Sequence, residues 1–134
     1  DNRQHDSYLN LPLDEMMLHI QKAIENGHPV CWEGDISEEG FIHAKDNYVD
    51  IPENERPVTP TSRQEEFEQL RTTDDHVMEI IGTFLKDEQR YYVCRNSAGK
   101  IWGNQGLIYL SEDYLRLKTI AVFMSEEAFL FDRK

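Results

Sequence analysis

Near the start of the chain, apolar residues recur at intervals of three and four: Leu13, Met16, Met17, Ile20, Ala23 and Ile24. That spacing gathers them on one face of a helix, so the pattern predicts an amphipathic helix between Pro12 and Asn26. Pro12 suits the first turn, where a helix leaves its amide unbonded anyway. Asp14 and Glu15 complement the positive N-terminal end, and Gly27 fits the left-handed residue that often terminates a helix. The short run Val30-Cys31-Trp32 predicts a buried strand. Over residues 33–50 the pattern breaks into glycines and acidic residues, which predicts a long exposed loop.

Pro52, Pro57 and Pro60 punctuate an irregular connector, after which Ser62-Arg63-Gln64-Glu65-Glu66-Phe67 predicts a short helix capped by Ser62 or Thr61. Three β segments follow, at residues 76–85, 90–96 and 107–110, rich in β-branched and aromatic residues. Ser111-Glu112-Asp113 opens a helical turn through Leu117, residues 119–124 form one more strand, and the chain ends shortly after it. A helix followed by a mostly antiparallel set of strands is an α+β pattern. The chain has no internal repeat and no low-complexity segment.

With 134 residues the chain is long enough for one domain and one core. Its 26 acidic against 14 basic residues give a formal net charge of -12, which argues against nucleic acid as a partner. No apolar stretch is as long as a membrane span, so no membrane partner is expected. The two cysteines, Cys31 and Cys94, sit in apolar runs where a thiol behaves as a small core residue; two do not make a secreted disulfide framework. The compartment stays open between cytoplasm and an exported location. The five histidines show no compact zinc spacing, and the acidic run Glu33, Asp35, Glu38 and Glu39 lacks an ordered calcium register, so no metal is expected.

The chemistry lies at two strand ends. If the runs at 76–85 and 90–96 pair as antiparallel neighbours joined through residues 86–89, the start of the first lies opposite the end of the second. The imidazole of His76 and the carboxamide of Asn96 then meet. An imidazole acting as base toward a thiol needs a second group to fix its tautomer and aim its ring, and an Asn side-chain oxygen can do this.

Asn96-Ser97-Ala98-Gly99, Trp102-Gly103 and Gly106-Leu107, with His76 upstream, resemble the Asn and His stations of the papain-like cysteine peptidases. The resemblance narrows to the bleomycin hydrolase and aminopeptidase C branch. Its carriers are Tyr8-Leu9-Asn10-Leu11-Pro12-Leu13-Asp14-Glu15-Met16, then Gly27-His28-Pro29-Val30, and Thr72-Thr73-Asp74-Asp75-His76-Val77-Met78. The segment from Tyr114 to Val122 is similar to bacterial members. Together these cover nearly the whole chain, in the order of the family's C-terminal half.

The resemblance implies that residues 1–134 are a single domain, the C-terminal lobe of a papain-like peptidase. It would be an open antiparallel β-barrel with an N-terminal helix. The N-terminal lobe, with the nucleophilic cysteine and an oxyanion-stabilising Gln, is not in this chain, whose polar leader reads as a truncation or processing boundary. His76 would be general base and acid and Asn96 the orienting group, with Asp75, Ser97, Ala98 and Trp102 supporting the site. The reaction would be peptide-bond hydrolysis through a thiol acyl-enzyme, without metal or organic cofactor. The implied partners are a peptide substrate, the N-terminal lobe and further copies of the chain in a homo-oligomer. Ala98 departs from the family, which has Trp there to shield the His-Asn bond from water. The chain alone is expected to be inactive. The rival reading, from a different class, is a non-catalytic binding or structural domain derived from such a lobe.

Overall fold

Helix α1 (Leu13–Glu25) forms where the three-and-four spacing places it, with Leu13, Met17, Ile20, Ala23 and Ile24 buried. Burying each of the larger of these side chains is worth about 1.5–3 kcal/mol, which outweighs the lack of a side-chain N-cap at Pro12. At its other end the amides of Gly27 and His28 donate to the carbonyls of Ile24 (3.0 Å) and Ala23 (2.9 Å). Gly27 takes φ +85°, the left-handed conformation that this closing motif requires. A computed structural model supplies the fold and describes residues 10–35, 46–69, 75–96 and 106–131.

Among the described residues six strands form one sheet: β1 (Val30–Asp35), β2 (Tyr48–Val49), β3 (Asp75–Lys86), β4 (Gln89–Asn96), β5 (Leu107–Ser111) and β6 (Thr119–Phe123). Their spatial order is β2-β5-β4-β3-β1-β6. Every pairing is antiparallel except β2 with β5, which is parallel. Among the described residues β2 and β6 are edges and the sheet is not closed. The α+β class expected from the sequence is therefore the class observed. Among the described residues the remaining α-helices are α2 (Pro60–Gln69), α3 (Glu112–Lys118) and α4 (Glu126–Phe131), with a short 3-10 helix at Glu53–Glu55. The core lies between one face of the sheet and helices α1 and α3: Trp32, Met78, Ile80, Tyr92, Leu110 and Leu115 are all essentially inaccessible.

Two local expectations need correcting. The loop expected over residues 33–50 is shortened at both ends: β1 continues to Asp35, and Tyr48–Val49 pairs with β5. Glycine and acidic residues did not stop β1, because two neighbouring strands supply its hydrogen bonds. Helix α2 starts at Pro60 and its cap is Thr59, not Ser62 or Thr61. The Ser62 amide donates to Thr59 Oγ1 (3.0 Å) while the Thr59 amide donates to Ser62 Oγ (2.9 Å), a reciprocal cap in which Ser62 is the third helical residue. The sheet is mostly antiparallel, as the pattern of elements predicts, with β2–β5 the one parallel pair among the described residues. Beyond the last strand, Ser125 accepts from the Ala128 amide (3.1 Å) and opens α4.

The connector between β2 and α2 is fixed by charge. Arg56 donates to Asp113 Oδ2 (2.8 Å), to Glu53 Oε1 (3.2 Å), to the Ile51 carbonyl (3.2 Å) and to Asp50. Asp50 also accepts from Ser111 Oγ (2.7 Å), Gln89 Nε2 (3.2 Å) and the Ile51 amide (2.8 Å). Ser111 in turn caps α3 by accepting from the Tyr114 amide at 3.0 Å. One carboxylate thus ties the connector, β4 and the start of α3 together. Burial pushes the Asp50 carboxyl up, but the bonds from Arg56, Ser111, Gln89 and Ile51 outweigh it and hold the group below its ordinary value. Helix α2 docks on α3 in a similar way: Arg63 donates to the Arg116 carbonyl (2.8 Å), and the buried Lys118 pairs with Glu66 (2.6 Å).

Candidate active site

His76 is the second residue of β3 and lies opposite Gly34 of β1; Asp75 before it lies opposite Asp35. The β3–β4 hairpin forms as expected. Met78 lies opposite Asn96, so the segments that carry His76 and Asn96 come together at adjacent strand ends. His76 is half-buried. The expected contact between its imidazole and the Asn96 carboxamide falls on a side chain outside the described ones, as does any contact of Asp75. Ser97, Ala98 and Trp102 lie outside the described residues.

The support beneath His76 is built from β1 and β6. A side chain at Gly34 would put its Cβ 2.2 Å from Trp32 Cζ2 and 2.8 Å from the Lys118 carbonyl oxygen, so only glycine fits. Trp32 is fully buried, and its Nε1–H donates to Thr119 Oγ1 at 2.7 Å. The bond satisfies both polar groups in a dry setting, where losing it would cost more than forming it gains. At this point β1 also bulges against β6, between Glu33 and Gly34. The glycine, the indole and the bulge thus lie where β1 pairs with the start of β3.

On the face of the sheet opposite the core, Glu79 of β3, Cys31 of β1 and Phe123 of β6 stand side by side in register. With His28, Pro29 and Val77 they line an open groove of about 700 Å³. The volume falls within the range of small-molecule and side-chain pockets. Val77, the residue after His76, is 44% exposed there and Phe123 42%. The exposed Glu79–Arg95 pair, 3.6 Å apart, also lines the groove and adds little stability at such exposure. Sequence reasoning missed this groove. Phe123 joins Cys31 and Glu79 only through the β1–β6 register, which no local pattern encodes.

Both cysteines are free thiols. Cys94, opposite Ile80, is fully buried, and burial pushes its thiol up. Cys31 is half-buried in the groove and is also pushed up, by burial first and then by Glu33 and Glu79. A nucleophilic cysteine requires the opposite environment, with a cation or helix N-terminus to favour thiolate. Neither thiol is set up for attack. Among the described residues no group of three or more His, Cys, Asp or Glu side chains could hold a metal ion. No described helix is long and apolar enough to cross a membrane.

No family model and no curated protein matches the sequence. In fold, the chain is similar to the crystal structure of PepW from Lactobacillus rhamnosis HN001, with a TM-score of 0.61 at 18% sequence identity. The superposition covers 90% of this chain and 28% of that one, so this chain spans about 28% of PepW's length. At this identity the likeness is one of fold.

Proposed function

We propose that the chain is the β-rich C-terminal lobe of a cysteine peptidase of the bleomycin hydrolase and aminopeptidase C type. In this reading His76 serves as general base and acid, and Asn96 orients its imidazole. The observation that carries the reading is the β3–β4 register. With Asn96 opposite Met78, His76 and Asn96 take diagonal positions across two antiparallel strands. Such positions are typically about 7–8 Å apart at the backbone, within reach of longer side chains. The fold similarity to PepW is consistent with the same reading. The open sheet, with α1 on its core face, would be the curled sheet of such a lobe.

The missing groups would come from the rest of the parent protein. A cysteine thiolate would attack the peptide carbonyl, with His76 taking the thiol proton and later giving it to the leaving amine. A Gln of the other lobe would stabilise the oxyanion. The groove that begins at Val77 would receive an apolar side chain of the peptide. Asp75, Ser97, Ala98 and Trp102 would surround the His-Asn pair, with Ala98 leaving it wetter than an indole would. In the complete protein, turnover of aminoacyl fluorogenic substrates should fall by about 10²–10⁴-fold in His76→Ala and less steeply in Asn96→Ala. The 134-residue chain alone should turn over none of them. Full activity in His76→Ala would remove the assignment. So would alkylation-sensitive turnover by the isolated chain that disappears in Cys31→Ser or Cys94→Ser.

A further inference from the structure

The outer face of the sheet carries a second feature, away from His76 and the groove. Tyr92 and Leu110 point into the core and are fully buried, so their chain neighbours Tyr91 and Tyr109 lie on the opposite face. The register adds Phe84 beside Tyr91 and Tyr48 beside Tyr109. The four rings pack on one another. Tyr48 meets Tyr91 edge to face at 4.9 Å and Phe84 at 6.4 Å between centroids; Phe84 stacks on Tyr91 at 5.8 Å and meets Tyr109 edge to face at 5.7 Å. Tyr48, Phe84 and Tyr109 remain half-exposed.

Two observations say what such a surface takes. First, the ammonium of Lys86 sits over the Tyr48 ring, 4.5 Å from its centroid. The ring face is negative, and in this fold it already holds a cation from its own hairpin. Second, the rim is acidic. The Tyr91 hydroxyl donates to Gln89 (3.2 Å), which donates to Asp50. Three carboxylates, Asp50, Glu53 and Asp113, surround the single guanidinium of Arg56, leaving that cluster two formal negative charges in excess. The hairpin turn beside Lys86 adds exposed Asp87 and Glu88. The net charge of -12 extends the same field over the whole chain and draws cations toward it.

We propose that the face formed by Tyr48, Phe84, Tyr91 and Tyr109 docks a basic segment of a partner protein, which lays a lysine or arginine side chain on the Tyr48 ring in place of Lys86. Lys86 is then a competitor carried by the chain itself. An apolar or acidic partner finds neither the cation site nor a favourable rim. The surface is independent of the peptidase reading and stands if that reading fails.

The test is a titration of the 134-residue chain with a short lysine-glycine peptide, following the aromatic ring signals of the tyrosines by NMR. The peptide with every lysine ε-acetylated is the control. The unmodified peptide should shift the Tyr48 and Tyr109 signals saturably and the acetylated one should not. Tyr48→Leu, which leaves the net charge unchanged, should weaken binding about three- to tenfold, the size of one partly desolvated cation–ring contact. Lys86→Gln should tighten it about two- to fivefold by removing the competitor. An unchanged Kd in Tyr48→Leu would show that net charge alone attracts the peptide and would overturn the proposal. Ring shifts that grow with protein concentration in the absence of peptide would assign the face to a second copy, with the same result. Should Tyr48→Leu fail to fold, Lys86→Gln is compared with Lys22→Gln, which removes the same charge from an exposed position of α1: equal tightening in the two, or none in Lys86→Gln, refutes the displacement.

Discussion

Replacing Gly34 by alanine tests the support beneath His76 most sharply. The added Cβ would stand 2.2 Å from Trp32 Cζ2, 2.5 Å from Cη2 and 2.8 Å from the Lys118 carbonyl oxygen, all closer than real Cβ atoms approach. Trp32 has no free space to enter, since it is fully buried and its Nε1–H is bonded to Thr119 Oγ1 at 2.7 Å. Overpacking of this kind costs about 1–3 kcal/mol. If the indole moves, the lost buried hydrogen bond adds about 1–3 kcal/mol. The expected loss for Gly34→Ala is therefore about 3 kcal/mol or more, a large share of a typical domain's stability. Urea unfolding followed by circular dichroism measures it, with an unchanged slope showing that the native and unfolded states are otherwise alike.

A double-mutant cycle separates the two contacts. Trp32→Phe removes the outer ring and with it the two closest atoms, leaving the Lys118 carbonyl in place. Alanine at position 34 should then cost about 1–2 kcal/mol less in the Trp32→Phe background than in the wild type, a coupling expected of residues in direct contact. Additive single and double variants, or a Gly34→Ala protein within about 0.5 kcal/mol of wild type, would refute the steric reasoning.

Two further outcomes are expected. Asp50→Asn should cost about 1–3 kcal/mol at neutral pH, a figure moderated by the partial exposure of the pair. Because the folded carboxyl is held below its ordinary value of 3.8, its contribution is complete above that value and is lost as the pH falls through the lower, folded one. The stability gap between wild type and Asp50→Asn in urea melts should thus close on acidification; a gap independent of pH would refute the ionic account. Cys94, fully buried with a raised thiol, should resist iodoacetamide in the native chain and react only on unfolding, as read by mass spectrometry. Rapid native alkylation of Cys94 would reopen it as a nucleophile.

What the sequence revealed follows the range of the interactions involved. Helix α1 was legible because its apolar stripe, its early acids and its Gly27 terminator all act within a turn or two of one another. The β3–β4 hairpin was legible for the same reason, its two strands being separated only by the Asp87-Glu88 turn. The parallel contact of Tyr48–Val49 with β5 was not, since it joins segments some sixty residues apart on two residues of strand. Thr59 was overlooked as a cap because Ser62 carries the same capping chemistry, and only the position of Pro60 as first helical residue separates the two. At the candidate site, His76 and Asn96 could be brought together on paper because the hairpin is local; Gly34 and Phe123 could not, because they arrive through β1 and β6.

The same distinction explains why net charge was a poor guide to detail. An excess of acidic residues predicts a solvated, mutually repelling surface, and at Glu53, with 90% of its side chain exposed, that description holds. At Asp50 it fails. There the carboxylate is an organising group, engaged by a guanidinium, a hydroxyl, an amide side chain and a backbone amide from three different parts of the chain. A composition count weighs both residues as one negative charge, but only Asp50 has enough donors to offset partial burial. One charged cluster therefore has two physical roles. Its inner members hold the connector to β4 and α3, while the uncompensated carboxylates give the neighbouring tyrosines an electrostatic rim. The first role is read by stability against pH, and the second by affinity for a cation. Asp50→Asn changes both, whereas Tyr48→Leu removes the ring contact and leaves the ionic cluster intact, so the pair of substitutions distinguishes support from recognition.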